Sequence, residues 1–242
     1  MTQASMPHSV RGFTLVEMAL VLLIMGLILG SGLTLLGAQI ERQKAQDTRQ
    51  ALEDARDALV GFAVANGRLP RPSTVALNGV ENPAACATDA ACTGLLPWAT
   101  LGVRKLDGWN RIFRYSVTPA FANAPFLLTT LSSKVGQTRT VAGALIVSAA
   151  SVPAVVFSHG KTSFGTTEGG VAIPNESVGA TNIDEISNNT GTVGAQPAGT
   201  HFIQRTPGES TLAAVGGEFD DIVIWLSPNI LFSRMVQAGK LP

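Results

Sequence analysis

Residues 12–38 have the sequence GFTLVEMALVLLIMGLILGSGLTLLGA, an apolar run whose one charged residue is Glu17. At 1.5 Å per residue, a helix over residues 13–38 would be about 39 Å long, which is enough to cross a membrane. A carboxylate inside such a helix costs up to about 3 kcal/mol, so its presence predicts a partner of opposite charge. Glu17 is therefore the residue whose position most needs a functional explanation.

Two simpler interpretations compete for this segment. A secretory signal has an apolar stretch of about 7 to 15 residues followed by a small-residue cleavage site, and this run is longer than that. A plain single-pass anchor fits the length but explains neither Glu17 nor the Arg11-Gly12 junction. The sequence therefore favours a specialised N-terminal motif over both alternatives.

The stretch from Gly12 to Glu17 resembles the N-terminal motif of the type IV pilin superfamily, which includes pilus subunits and the pseudopilins of type II secretion. The resemblance implies a leader, residues 1–12, that the prepilin peptidase removes by cutting between Gly12 and Phe13. It also implies N-methylation of Phe13 and assembly with other pilin or pseudopilin subunits. Glu17 would then pair with the positively charged terminal amine of a neighbouring subunit, in a medium that strengthens the attraction.

The same resemblance implies a location. The protein would be a single-pass protein of the bacterial inner membrane with its head in the periplasm, and would later enter a filament or reach the cell surface. The count of nearby bases does not favour this topology, because Arg42, Lys44 and Arg49 follow the apolar run. The topology therefore rests on the motif.

A helical pattern continues beyond the apolar run, over residues 39–66. Apolar or small residues recur there at the spacing of one helical stripe, at Thr48, Ala51, Leu52, Ala55, Ala58, Leu59, Phe62 and Ala63. Asn66-Gly67 predicts the end of the helix. We expect an α+β fold of the pilin type, in which a long helix, half membrane-spanning and half amphipathic, packs on an antiparallel β-sheet head, residues 67–242.

Cys86 and Cys92 are the two cysteines of the chain. In an oxidising compartment outside the cytoplasm they would form one small disulfide that holds a loop. Metal binding is less favoured, because two thiols without a nearby histidine are an incomplete zinc site.

Composition gives no support to several classes of function. The formal net charge is zero and no basic tract is present, so nothing indicates a nucleic-acid partner. The three histidines are scattered, and the adjacent side chains of Ser158 and His159 on a strand would point to opposite faces. The sequence therefore predicts a protein that is not an enzyme.

The head resembles the major pseudopilins at residues 106–115, LDGWNRIFRY, where those proteins have an aspartate, tryptophan and glycine turn. Asn110 replaces the glycine, and asparagine can adopt the left-handed backbone that such a turn uses. For Trp109 and Tyr115 we expect core packing.

Further along, residues 142–149 and 152–158 are predicted strands, and Ser158-His159-Gly160 opens a polar loop. Residues 219–225, FDDIVIW, resemble the place where major pseudopilins carry a calcium-binding aspartate pair. The resemblance makes Asp220 and Asp221 calcium candidates, helped by Glu218 and by backbone carbonyls near Ser158. The alternative, which we favour, is that the two aspartates are solvated at the entrance of a strand and that the protein has no cofactor.

A Gly, Thr, Asn and Ser rich insertion, residues 161–217, separates these two pieces. We expect it to be an irregular surface excursion, which can include a hairpin, and a candidate contact surface. At the carboxyl terminus, Ser227-Pro228 predicts the start of a short helix that ends at Gly239 and packs on the sheet.

These observations predict a structural subunit of a type IV pilus-like filament. The chain length of 242 residues and the insertion favour a minor or specialised subunit. The first alternative is a pseudopilin of a type II secretion system that drives protein export. The second is a solitary membrane-anchored binding protein whose loop acts as a receptor.

Overall fold

The computed structural model describes the backbone of residues 12–209 and 216–241, and the side chains of these residues except 28–36. The leader prediction for residues 1–11 lies outside this part of the chain. The structure divides into two units, Met1–Gln43 and Lys44–Pro242.

The described elements follow one another from an α-helical first part to a mixed second part. The helices are α1 (Leu15–Asn66), α2 (Trp98–Leu101), α3 (Pro119–Ala122), α4 (Ile183–Thr190) and α5 (Pro228–Gln237), with a 3₁₀ turn at Val178–Ala180. The strands are β1 (Thr93–Leu95), β2 (Arg114–Val117), β3 (Lys134–Arg139), β4 (Leu145–Val152), β5 (Ala154–Ser158), β6 (His201–Arg205) and β7 (Ile222–Leu226). The predicted α+β class is therefore confirmed.

In the first unit, α1 presents apolar side chains to its surroundings. Every side chain from residue 12 to residue 27 is exposed, including Leu15 at 89%. No helix in the described part of the chain contains a stretch long and apolar enough to cross a membrane. The membrane-spanning half therefore stays a prediction.

In the second unit, α1 is amphipathic as predicted. Its buried stripe packs into the main core and consists of Thr48, Ala51, Leu52, Ala55, Leu59 and Ala63. The helix ends at Asn66, because Gly67 has φ +74°, a backbone conformation that glycine adopts without strain. The predicted boundary at Asn66-Gly67 is confirmed.

The main sheet has the strand order β1-β2-β5-β7, and each neighbouring pair is antiparallel. Its inward side chains join the buried stripe of α1 and the apolar side of α5 in one core, which includes Tyr115, Phe121 and Leu231. Helix α5 begins with Pro228 directly after Ser227 and Gly239 follows its end, in agreement with the prediction from the sequence.

A second sheet has the order β4-β3-β6. Strands β3 and β4 are antiparallel, whereas β3 and β6 are parallel, with Val135 paired to His201 and Arg139 to Arg205. The prediction of an antiparallel head is therefore correct for the main sheet and wrong for this pair. The physical reason is that helix α4 lies between β5 and β6 in the chain, which allows β6 to return in the direction of β3.

The prediction of a surface excursion for the insertion, residues 161–217, is wrong for the segments that form α4 and β6, whereas it agrees with residues 166–181, none of which is buried and which form no α-helix or strand. The insertion contributes α4 and β6, and Phe202 and Ile203 on β6 are fully buried. Polar residues of α4 are also buried, because they find partners inside: the Asp184 carboxylate accepts hydrogen bonds from Arg139 Nη1 at 2.8 Å and Arg205 Nε at 2.9 Å. A polar sequence can therefore line an interior. Residues 210–215 of the insertion lie outside the part of the chain that the structure describes.

Candidate functional site

The first helix begins with a reciprocal pair of side-chain hydrogen bonds. The Glu17 carboxylate accepts the backbone N–H of Thr14 at 2.8 Å and the Thr14 hydroxyl at 2.8 Å. In return, the Thr14 hydroxyl oxygen accepts the backbone N–H of Glu17 at 3.2 Å. This is a capping box, in which two otherwise unpaired N–H groups at a helix start are satisfied. Sequence reasoning missed the role of Thr14, although the Thr-x-x-Glu spacing signals it.

The predicted cleavage point lies just before this box. Gly12 and Phe13 are exposed and belong to no helix or strand, and Phe13 is 81% exposed. The structure thus places Gly12, Phe13 and Glu17 on one short segment. Cleavage and methylation themselves stay predictions.

Cys86 and Cys92 form the predicted disulfide, with a Cα–Cα distance of 5.2 Å. The closed loop carries Asp89, whose Oδ1 accepts hydrogen bonds from Lys134 Nζ at 2.8 Å and Ser133 Oγ at 2.5 Å. Lys134 Nζ also donates to the backbone carbonyl of Gly199 at 2.6 Å. Burial lowers the pKa of Lys134 to about 8. The disulfide loop, β3 and the insertion therefore meet at one buried amine.

The turn after Leu106 is built around Asp107. Its Oδ1 accepts the backbone N–H groups of Trp109 and Arg111, each at 2.8 Å. Asn110 has φ +63°, the left-handed conformation expected where the resembled turn has glycine. Tyr115 is fully buried and Trp109 packs partly buried against the core, so their predicted packing roles are confirmed.

The acidic start of the last strand is buried at Asp221 and half-buried at Asp220, so the prediction that both aspartates are solvated is wrong. Asp221 is 1% exposed, and its Oδ2 accepts a hydrogen bond from Asn188 Nδ2 at 2.8 Å. Asp220 is half-buried, and its Oδ2 accepts the backbone N–H groups of Lys161 at 3.0 Å and Thr162 at 2.8 Å, and the Thr162 hydroxyl at 2.9 Å. The interpretation fails because α4 covers this strand entrance.

Helix α4 adds a third carboxyl group that sequence reasoning missed. Glu185, Asp220 and Asp221 each place an oxygen within 4.8 Å of the others. Glu185 Oε1 accepts the backbone N–H of Asp220 at 2.9 Å, and its Oε2 accepts Asn182 Nδ2 at 2.7 Å. No local pattern marks Glu185, because it lies 35 positions from Asp220 in the chain. Glu218, the other candidate acid, is not part of this group.

Burial governs the protonation of this carboxyl cluster. Burial and the charges of Asp221 and Asp220 raise the pKa of Glu185 to about 9, and burial raises the pKa of Asp221 well above its usual value. Burial and the charges of Arg114 and Arg111 lower the pKa of His159 to about 3. The contact of 3.3 Å between His159 Nδ1 and Asp221 Oδ1 therefore involves a neutral imidazole at neutral pH.

The loop after β5 folds its backbone carbonyls around Arg111, which is 7% exposed. Arg111 Nη1 donates to the carbonyls of Ser163 and Phe164, each at 2.9 Å, and to that of His159 at 3.4 Å. Arg111 Nη2 donates to the carbonyls of Lys161, at 2.5 Å, and Thr162. Five carbonyl oxygens of residues 159–164 thus converge on one guanidinium.

This arrangement does not fit a calcium ion, which takes six to eight oxygen ligands. The loop carbonyls are engaged by Arg111, and the oxygens of Glu185 and Asp221 contact donors or His159 in the protein. Among the three carboxyl groups, Asp220 Oδ1 is the oxygen buried without a hydrogen-bond partner in the described part of the chain. The cluster brings together three carboxyl oxygens, one from each residue, which is fewer than the six to eight that calcium takes.

Ser158 and His159 face different partners. Ser158 Oγ donates to Asp107 Oδ2 at 2.6 Å, whereas His159 contacts Asp221. Both residues are 1% exposed. They therefore do not form a nucleophile with its base.

Comparison with known proteins bears on the N-terminal segment. A family model described as "Prokaryotic N-terminal methylation motif" matches residues 7–35. No curated protein and no solved structure gives a significant match to the chain. The chain therefore carries, at residues 7–35, the N-terminal signature of type IV pilins and pseudopilins.

Proposed function

We propose that the protein is a minor or specialised structural subunit of a type IV pilus-like filament. The observation that carries the proposal is the methylation motif at residues 7–35, in which Glu17 follows a Gly12-Phe13 junction inside an apolar run. In the proposed pathway the prepilin peptidase cuts between Gly12 and Phe13, and Phe13 is then N-methylated. The precursor lies in the bacterial inner membrane with its head in the periplasm.

The exposed apolar surface of α1 supports assembly. Side chains such as Leu15, Leu22 and Leu27 are 65% to 89% exposed, and water does not favour such a surface. Lipid would cover these side chains before assembly and neighbouring helices would cover them in the filament. The same surface would serve both states, because it offers dispersion contacts and no competing charge except Glu17.

The position of Glu17 relative to the cleavage point explains how it would act after cleavage. The mature chain would begin at Phe13, one residue before Thr14, whose N–H already donates to the Glu17 carboxylate. A new positive amine at Phe13 would thus be formed next to the residue that binds Glu17. We propose that Glu17 stays with its own chain before assembly and offers its charge to the terminal amine of a neighbouring subunit during assembly.

A pseudopilin of a type II secretion system is the second candidate. The turn at residues 106–115 supports it, because Asn110 adopts the left-handed backbone for which the resembled turn has glycine. A solitary membrane-anchored receptor is the third candidate, and it differs from the other two in needing no function for Glu17.

The first experiment is intact mass analysis and N-terminal sequencing of the protein from native membranes. We expect a chain that begins at N-methylated Phe13. A chain that keeps Met1, or one cut beyond Ala38, would rule out prepilin processing and with it the filament role. Cross-linking of the mature chain to purified pili or to secretion pseudopili then distinguishes the first two candidates.

A further inference from the structure

The guanidinium of Arg111 is surrounded by backbone carbonyls, much as a metal cation is in a protein site. It is buried, and five backbone carbonyls of one short loop, residues 159–164, accept its hydrogen bonds. Arginine presents five N–H donors in a rigid plane and keeps its charge in proteins. Such a set of converging carbonyls is also what a hard metal cation requires.

The backbone conformation at the end of this loop allows it to close around Arg111. Phe164 has φ +61°, an unusual backbone for a bulky residue, and its carbonyl is one of those that bind Arg111. Gly165 has φ +94°, and a Cβ there would lie 3.2 Å from Arg111 Cδ, so glycine leaves room for the arginine stem. A strained residue and a glycine thus close the loop around the side chain, which indicates that the contacts with Arg111 offset the strain.

Asp220 binds the backbone N–H groups of the same loop. Its Oδ2 accepts the backbone N–H groups of Lys161 and Thr162, whose carbonyls point to Arg111. Backbone N–H groups of the loop therefore donate hydrogen bonds to the Asp220 carboxylate, and its carbonyls accept hydrogen bonds from the Arg111 guanidinium. A second cation among the same carbonyls would meet the guanidinium at close range, where like charges in a buried site repel strongly.

We propose that Arg111 is the built-in cation of the 159–164 loop, and that it makes this loop independent of metal. The head then keeps its fold in calcium-poor surroundings, whichever filament it joins. This role belongs to the head alone and does not depend on the function of Glu17.

The test uses the full chain, purified in detergent, and measures thermal unfolding and terbium luminescence. Terbium serves as the calcium probe, excited through tryptophan. We expect the wild-type protein to have the same Tm with millimolar calcium as with EDTA, and no saturable terbium signal. We expect Arg111→Met to lower the Tm by about 10 °C, because five carbonyls lose a buried charged partner.

Matched variants distinguish loss of the Arg111 charge from a nonspecific loss of stability. Arg104 is exposed, so Arg104→Met should leave the Tm unchanged. In Arg111→Ala, low concentrations of guanidinium should restore part of the lost Tm, whereas equal urea should not. If the Arg111 variants do not fold, the calcium and terbium measurements on the wild-type protein still test whether the loop is independent of metal. A calcium-dependent rise of the wild-type Tm with saturable terbium binding, or a fully stable Arg111→Met, would overturn the proposal.

Discussion

The carboxylate of Glu17 is bound by Thr14 of its own chain, through a backbone N–H and a hydroxyl that each lie 2.8 Å away. This relationship gives Glu17 two separable properties. One is hydrogen-bond acceptance, which starts the helix, and the other is negative charge, which the filament role requires. The two can be tested apart.

Replacing Glu17 with alanine should leave the protein in the membrane but abolish its incorporation into filaments. Glu17→Gln should fail in the same way, because the amide oxygen still accepts the hydrogen bonds of Thr14 but has no charge to offer an amine. The measurement is the ratio of filament-bound to membrane-bound protein in sheared-cell fractions, compared by immunoblot.

Thr14→Val is the matched control for this prediction. It removes the hydroxyl but keeps the backbone N–H, so we expect a helix start weakened by about 1 kcal/mol and filament incorporation close to normal. Normal incorporation of Glu17→Gln would refute the role of the charge, and a failure of Thr14→Val equal to that of Glu17→Ala would assign the effect to capping.

Gly108 lies against the backbone of α1, where its N–H donates to Thr48 Oγ1 at 2.9 Å. A Cβ at this position would lie 2.7 Å from the Lys44 carbonyl oxygen. Gly108→Ala should therefore push the turn away from the helix and lower the free energy of unfolding by about 2 kcal/mol. Chemical denaturation of the detergent-solubilised chain measures this loss.

Gly61→Ala provides the opposite control. Gly61 lies within α1, and a Cβ added there would have open space within 4 Å, so alanine should stabilise the helix by about 1 kcal/mol. Equal effects of the two substitutions would show that the close approach at Gly108 has no energetic role.

The disulfide should stabilise the head in two ways. Closing a loop with a sequence separation of 6 is worth about 2 kcal/mol through the unfolded state. It also fixes Asp89 beside the buried Lys134 amine. We expect the Cys86→Ser, Cys92→Ser variant to lose more than about 2 kcal/mol of unfolding free energy in denaturant titrations.

A double-mutant cycle with Lys134→Met isolates the second contribution. If the loop positions Asp89 for Lys134, removing the disulfide in the Lys134→Met background should cost at least about 0.5 kcal/mol less than in the wild type. Strict additivity of the two changes would show that the disulfide and the ion pair act independently.

Glu185 should make the stability of the head fall as pH rises. Its pKa is raised from 4.5 to about 9 in the folded protein, mainly by burial. Between these values the folded protein keeps a proton that the unfolded chain has released, so the free energy of unfolding decreases with pH by up to about 1.4 kcal/mol per unit. Glu185→Gln should make this decline less steep, and the part that remains comes from Asp221, whose pKa burial also raises. Tm measured from pH 5 to pH 9 reports the difference.

Glu168→Gln is the control for pH, because Glu168 is exposed. It should leave the pH profile of the wild type unchanged. A Glu185→Gln profile that follows the wild type would mean that Glu185 is ionised in the folded head at neutral pH.

Local sequence patterns correctly predict those helices and strands whose formation depends mainly on residues near one another in the chain. The α1 stripe, its end at Gly67, the strand near residues 152–158 and helix α5 after Ser227-Pro228 all follow from periodicity and from glycine and proline positions. The prediction for the insertion is wrong at α4 and β6 because their composition is polar, and polarity normally indicates a solvated surface. Its buried groups are satisfied by residues distant in sequence, such as Asp184 by Arg205.

The sequence by itself determined the N-terminal motif and its Glu17, the long helix, and the pairing of the only two cysteines. These depend on short-range spacing, which the order of residues contains directly. Only the tertiary structure decided that Glu185 joins Asp220 and Asp221, that Asp89 meets Lys134, and that Arg111 fills the carbonyl loop. The physical reason is that burial changes the chemistry of a charged group, and burial is set by contacts between segments far apart in the chain.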